Sequence, residues 1–377
     1  MGWLLRYGVE ARGELDLGEH VVVAEGGPSW KQPESSLADC LTSALQTPLG
    51  FPPLQQSIIP GDHITLVLEA GLPQADQLVP ALVAVLLAAD IAPEDITILC
   101  PAGKADRGTA EVGKLLPQDL RQRILVRQHN PADPGCLAYL ASTEAGHRVL
   151  LHRAIVDADV VLAIGWQQSD QALDYFGLFG GVYPAFSNLM AQRRFRVWGF
   201  RAHREAEKRV LMAEVREVAW LLGSVFAIQL VPGPGGQIAD VLAGEIRQVA
   251  RAATARYQTL WQRLVPRRAR LVVAAIAGGP VQQTWQSLAR ALAVAGHLVE
   301  PGGAIAVCCS LSEPPGKAIQ ALVGTKHPLQ ALRQFSPDLP DDTLQALQLV
   351  QTRRHAQVFL LSGLENHLVE GLRLTPL

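Results

Sequence analysis

The sequence predicts an α/β protein of two domains, each a mainly parallel sheet flanked by helices, with a small N-terminal β-hairpin. Three observations lead there. From residue 60 onward, strand-like and helix-like runs alternate, the rhythm of a parallel sheet covered on both faces. The strand-like runs, such as HITLVLEA and DITILC, are apolar almost without interruption, as strands buried on both sides must be. The chain has 377 residues, room for two or three domains of ordinary size, and the α/β rhythm restarts after Arg270.

The elements follow in order. WLLRYG and HVVVAE read as short strands joined by a polar turn. PESSLADCLTSALQ offers serine caps and then an apolar-periodic helix. GFPPLQQSIIPGD is a proline-rich connector. Then come a strand at HITLVLEA, a helix from Asp76 to Leu87, a strand at DITILC and a helix beginning near Thr109. RILVRQHN and the two apolar runs of HRVLLHRAIVDADVVLAIG continue the sheet. Residues 184–222 read as helical, and SVFAIQLVPGPGGQIADVLAG as two strands around a Gly-Pro turn. A long helix from about Val241 to Leu264 should end before Pro266. The second unit follows as strand LVVAAIAGGP, helix TWQSLARALAVAG, strand GAIAVCCS, two helices and a last strand, QVFLLSG. The expected division is 1–240 for the first domain, 241–265 for a connecting helix and 266–377 for a smaller second domain.

Composition narrows the function classes. Apolar residues at 49% and charged residues at 18% belong to a globular chain, not a disordered one. A net charge of −2 supplies no field to recruit nucleic acid or an anionic membrane. The short clusters Arg193–Arg196 and Arg267–Arg270 read as solvated faces or linker. Gln77–Ala92, the longest apolar stretch, is shorter than the roughly twenty residues a span needs and contains Pro80. Five scattered cysteines without a Cys-x-x-Cys pair point to a reducing compartment, and the first residues turn polar too soon for an export signal. The expectation is a cytoplasmic protein.

Functional loops of an open α/β sheet lie at the carboxyl ends of its strands. Lys104, Asp106 and Arg107 stand in one such loop, PAGKADRG, just before a helix start; they suit an anion, or equally an exposed charged loop. His129 ends an apolar run and is a candidate base, although fixing its own loop by hydrogen bonds is the plainer role. His147 and His152 are poorly spaced for one metal, no His-Glu-x-x-His pair occurs, and no metal site is expected. No nucleophile elbow or P-loop is present. VEPGGAIAV resembles a turn of class I methyltransferases, but the glycine-rich cofactor loop those enzymes need is missing, so a plain turn fits better.

One ordered set of segments carries more. LRYGVEARGELDLGEHVVV, PLGFPPLQQSIIPGDHITLVLEAGLPQ, EDITILCPAGKADRG, RQHNPADP, GHRVLLHRAIVDADVVLAIG, DYFGLFGG and VVAAIAGGPVQQTWQSLARALAVAGHLVEPGGAIAV occur in that order and spacing. Together they resemble the nickel-pincer lactate racemase family over nearly the whole chain. The resemblance implies two α/β domains with a cleft between them. In the family, a nickel in that cleft is held by a modified pyridinium nucleotide attached to a lysine. A hydride leaves and returns to the α-carbon of a 2-hydroxy acid while two histidines move the hydroxyl proton.

The sequence departs from the family where that chemistry is done. After the first core strand Glu69 is kept, but Ala70 and Pro73 stand at the other functional places. The first catalytic histidine falls on Ala105 or a neighbour, and Asp174 replaces the second. The glycine loop keeps Tyr175, Gly180 and Gly181 but ends in Val182 and Tyr183 where the cofactor-bearing lysine belongs. His203 is the nearest histidine to the place of the further nickel ligand. Arg290 takes the position of a substrate-facing lysine, with Gln286 nearby.

The sequence thus points to the family fold without the family reaction, and to no cofactor. Glu69, Lys104, Asp106, Arg107, Tyr175, Gly180, Gly181, Tyr183, Gln286 and Arg290 are its candidate cleft residues for a small acid or nucleotide. Asp174 and His129 are the only candidate catalytic groups. The alternative is an active racemase or epimerase of a 2-hydroxy acid with altered groups, using the nickel-pincer nucleotide. A nucleotide-dependent transferase built on the second domain is a more distant option. A homo-oligomer or an active paralogue could be the partner.

Overall fold

The protein is described from a computed structural model. It covers residues 2–377 apart from 17, 20, 29–35, 103–107, 170–174, 202–204, 224 and 337; the side chains of 2, 108–111, 198–201 and 205–207 also lie outside the description.

The chain opens with an antiparallel hairpin of β1 (Gly2–Tyr7) and β2 (Ala11–Asp16). The second strand is ARGELD, not HVVVAE as expected. Val21 is 80% exposed, and none of the described residues pairs with this run to complete a ladder. Helix α1 (Leu37–Gln46) starts at a capping box. Ser36 Oγ accepts the Asp39 N–H and the Asp39 carboxylate accepts the Ser36 N–H, each at 3.2 Å.

The core alternation begins with β3 (Ile64–Leu68), all five residues buried, and α2 (Ala75–Leu87), which turns Leu78, Val79, Leu82, Val83 and Leu86 to the sheet. It continues through β4 (Ile96–Cys100), α3 (Gly108–Leu115) and β5 (Leu125–Gln128). Then β6 (Leu137–Ser142) and β7 (Arg148–His152) leave the sheet and pair with each other, antiparallel. The first apolar run of HRVLLHRAIVDADVVLAIG is therefore a side hairpin, not a core strand. After α4 (Arg153–Val156) the chain returns as β8 (Val160–Trp166). Helices α5 (Leu189–Arg201) and α6 (Glu205–Leu222) precede β9 (Val225–Pro232) and β10 (Ile238–Glu245). Helix α7 (Ile246–Trp261) begins later than the expected Val241, because Val241–Glu245 completes β10 against β9.

The six-stranded sheet runs β10-β9-β8-β3-β4-β5, parallel except for the β10 edge. The chain moves outward one way from β3 through β4 to β5, and the other way from β8 through β9. The switch point is thus the gap between β3 and β8, where open α/β sheets hold ligands.

The second unit is a four-stranded parallel sheet, β11 (Ala269–Ala275), β12 (Val299–Cys308), β13 (Ala356–Leu361) and β14 (Thr375–Pro376), in that order. Around it lie α8 (Trp285–Leu298), α9 (Lys317–Gln320), α10 (Pro328–Arg333), α11 (Thr343–Arg353) and α12 (Asn366–Gly371). Its core, including Leu292, Ile305, Leu347 and Val358, is separate from that of the large sheet.

The two units touch through ion pairs and backbone. Arg193 meets Asp338 and Arg196 meets Asp341, each at 2.9 Å, so this arginine cluster is not merely a solvated face. Gly8, at φ +59°, bonds to Ile276 and Gly278 of the second unit at 2.9 and 2.7 Å, tying the first hairpin to the last sheet.

Ile98 is fully buried at the middle of β4. Ile98→Ala should cost about 2–5 kcal/mol of stability through lost burial and a residual cavity, read as a lower urea midpoint. Val9→Ser, at an exposed position, should leave the midpoint unchanged; equal effects would contradict this packing.

Candidate functional site

Glu69 follows β3 directly at the switch point. Its carboxylate accepts the Trp166 backbone N–H and the Gln168 side-chain amide, each at 2.9 Å, so it binds the ends of β3 and β8 together. The fit is close. A Cβ on Gly165 would lie 2.7 Å from Glu69 Oε2, and one on Gly181 would lie 3.3 Å from Glu69 Cγ. A side chain at 165 would push on the Glu69 carboxylate and Leu178, and Gly181 brings its loop against the same acid.

A buried amide network lies beside it. Tyr175 donates to Gln167 Oε1 at 3.2 Å, and Gln229 Nε2 donates to the same oxygen at 2.9 Å and to the Tyr175 hydroxyl at 3.3 Å. Among the described residues, Gln168 Oε1 and Gln229 Oε1 are buried without a hydrogen-bond partner. The second unit contributes Arg290 from α8, whose guanidinium carbon sits 5.3 Å from the centre of the Trp166 ring. Gln286, on the first turn of α8, is half-buried. Glu69, Tyr175 and Gly181 are thus brought to the switch point, and Arg290 reaches it across the units.

The glycine loop continues as a single turn, Leu178–Gly181, with Leu178 and Phe179 buried. A Cβ on Gly180 would come 2.9 Å from the Phe176 Cβ, another close approach. Tyr183 then leaves the switch point for the core. It is 0% exposed, with its ring edge-on to Phe195 at 5.5 Å. Its hydroxyl donates to Glu214 at 2.6 Å and accepts from Arg194 at 3.0 Å. Arg194 also pairs with Glu214 and contacts His147. Burial, and then the Glu214 carboxylate, raise the Tyr183 pKa and hold its hydroxyl protonated.

His129 is 2% exposed, and its Nε2 bonds to the Ser187 carbonyl at 2.8 Å. A carbonyl only accepts, so Nε2 carries the proton, and Nδ1 is a buried lone pair with no hydrogen-bond partner among the described residues. Burial pushes its pKa down. The ring of His152 lies 5.7 Å away, and His152 Nδ1 accepts the Ala154 N–H at 3.1 Å. Burial, His129 and Arg127 together lower the His152 pKa to about 4. One donor atom from each of His129, Cys136 and His152 lies within 4.8 Å of the others, a grouping the histidine spacing did not reveal. Lys104, Ala105, Asp106, Arg107, Asp174 and His203 lie outside the described residues.

Residues 7–187 match the lactate racemase N-terminal domain family. The chain is lactate-racemase-like. Its fold is that of the lactate racemase apoprotein from Thermoanaerobacterium thermosaccharolyticum. That structure superposes with a TM-score of 0.77 at 15% identity, covering 100% of this chain and 92% of that one. A structural-genomics protein from Thermotoga maritima superposes with a TM-score of 0.64 at 12% identity, covering 92% of this chain and 93% of that one. No curated protein matches. At these identities the likeness speaks for the fold alone.

The resemblance expects a cofactor-bearing lysine where this lactate-racemase-like chain has Val182 and Tyr183. Both are buried, at 1% and 0% exposure, and neither carries an amine. Attachment of a pincer nucleotide does not fit at this position. Glu214, Gln167, Gln168 and Gln229 are not singled out by the sequence, and Arg194 reads there only as part of a solvated cluster. Only Gln229 left a signal, as a polar residue inside the apolar run VFAIQLV.

The two histidines make a pH prediction. A histidine with a folded pKa near 4 and an ordinary value of 6.5 takes up protons in the unfolded state first. Stability should therefore be lost as pH falls from about 6.5 toward 4. With chelator present, the urea midpoint should drop over that range, and drop less in His152→Asn. Identical profiles would contradict the buried neutral imidazole.

Proposed function

We propose that this chain has lost nickel-pincer catalysis and binds a small carboxylic acid in the cleft between its two units. The carrying observation is Tyr183. A hydride-transfer racemase must hold a hydride acceptor at the reacting carbon. The place expected for the anchoring lysine is filled by a core tyrosine whose hydroxyl is already committed to Glu214 and Arg194. Changing that position to an amine would bury a charge in an aromatic cluster.

What supports the ligand is the arrangement at the switch point. Arg290 supplies a fixed positive charge over the Trp166 face, and guanidinium groups suit carboxylates through paired N–H donors. Glu69 is tied to the backbone of β8 and to Gln168, so it acts there as a structural acid.

The test is production alongside the enzymes that make the pincer cofactor, followed by intact mass under denaturing conditions. The expected mass is that of the unmodified chain. A mass increase would overturn the loss of catalysis. Calorimetry with D-lactate, L-lactate and AMP tests the cleft. Lactate should bind, and Arg290→Ala should weaken it at least about tenfold, the worth of roughly 1.4 kcal/mol. Binding of AMP alone would move the ligand class to nucleotides, and no binding would remove the cleft role.

One observation favours a second reading, an active racemase or epimerase of a 2-hydroxy acid with altered groups. The unpartnered oxygens of Gln168 and Gln229 are acceptors that a substrate hydroxyl would satisfy. That reading requires interconversion of the two lactate enantiomers, measured by chiral chromatography; the expected result is none.

A further inference from the structure

We propose that His129, Cys136 and His152 form a metal site for one zinc ion, independent of the switch point and of any nickel chemistry. The three residues come from separate places. His129 follows β5, Cys136 lies in the single turn Pro134–Cys136 before β6, and His152 ends β7. Both histidines are buried, at 2% and 4% exposure, while Cys136 is half-buried and gives the cluster its opening to solvent.

The donor set is the first argument. Two neutral imidazoles and one thiol within 4.8 Å match the nitrogen and sulfur preference of zinc, with the fourth position left for water. A tetrahedral site with ordinary zinc bond lengths has ligand-to-ligand edges of about 3.3–3.7 Å. The cluster must therefore close by about an ångström, within reach of a half-buried cysteine on a short turn.

The second argument is the orphaned nitrogen. His129 Nε2 is committed to the Ser187 carbonyl, which leaves the Nδ1 lone pair buried and unpartnered. A metal-bound histidine is commonly held through its other nitrogen by a carbonyl, and His129 already has that arrangement. A buried acceptor with nothing to accept is costly, and a cation would satisfy it.

Binding has definite proton accounts. The Cys136 thiol, which contacts the Asn130 and Asp133 carbonyls at 3.1 Å, loses its proton to solvent as the sulfur–zinc bond forms. His152 accepts the Ala154 N–H at Nδ1, so its own proton sits on Nε2. To bind through Nε2 it must move that proton to Nδ1 and give up the Ala154 contact at the start of α4. That is one cap of a four-residue helix, small beside a metal–imidazole bond. Asp133 favours a cation here and Arg127 opposes it.

The site would add a metal staple to the hydrogen bonds that already join these segments. The His152 N–H donates to the Phe186 carbonyl at 2.8 Å, and His129 holds Ser187. A zinc ion would therefore fix the side hairpin and the far end of the glycine loop to the edge of the large sheet.

The experiment uses the full chain, stripped with chelator and titrated with zinc against a chromogenic chelator. One equivalent should bind. Cys136→Ser and His152→Asn should each weaken binding at least tenfold, and Cys40→Ser, at the other half-buried cysteine, should not. Cobalt should give a thiolate charge-transfer band that Cys136→Ser removes. Zinc should raise the thermal midpoint of the parent chain and not that of Cys136→Ser. No stoichiometric binding, or binding that survives either of the two ligand variants, would overturn the site. The same Cys136→Ser variant keeps nickel at this cluster from being mistaken for cofactor nickel, so this proposal and the loss of pincer chemistry can fail separately.

Discussion

A phenol buried in an apolar core must still satisfy its hydroxyl, and in this chain that requirement governs the glycine loop. Tyr183 meets it with Glu214 from α6 and Arg194 from α5. Two helices are thereby fastened to the loop that follows β8. The ring packs against Phe195 within the core that also holds Phe179 and Phe186. A buried hydroxyl without the partly buried Arg194–Glu214 pair would be costly; together they close a small network. The end of the loop is consequently part of the hydrophobic core and not a wall of the switch point.

The side of the loop that faces Glu69 has the opposite character. Glu69, Gly165 and Gly181 approach so closely that the carboxylate fills the space a side chain would need. The Gln167, Tyr175 and Gln229 amide and hydroxyl groups lie next to it. Polar groups thus gather where the parallel strands end and the strand order reverses, and Arg290 of the other unit lies against the Trp166 ring there.

Much of the fold was legible because its causes are local. The apolar run of β3, the Ser36–Asp39 box and the Gly-Pro turn between β9 and β10 each carry their reason in adjacent residues. What was not legible depends on partners. HVVVAE has strand-forming residues but no neighbour to pair with, and RVLLH is a strand whose periodicity cannot say which sheet it joins. The site divides in the same way. Glu69 could be placed at a strand end from its position alone. The His129–Cys136–His152 cluster could not, because its members are brought together by the side hairpin, which sequence spacing does not encode. Gln229 was a missed clue, since a glutamine in the middle of a buried strand needs a partner.

A crystal structure of the protein purified from cells that make the pincer cofactor tests the central claim most directly. The account predicts an unmodified Tyr183 in the core, with its hydroxyl within hydrogen-bond distance of Glu214 and Arg194. Electron density for a nucleotide joined to any side chain of the glycine loop would contradict it.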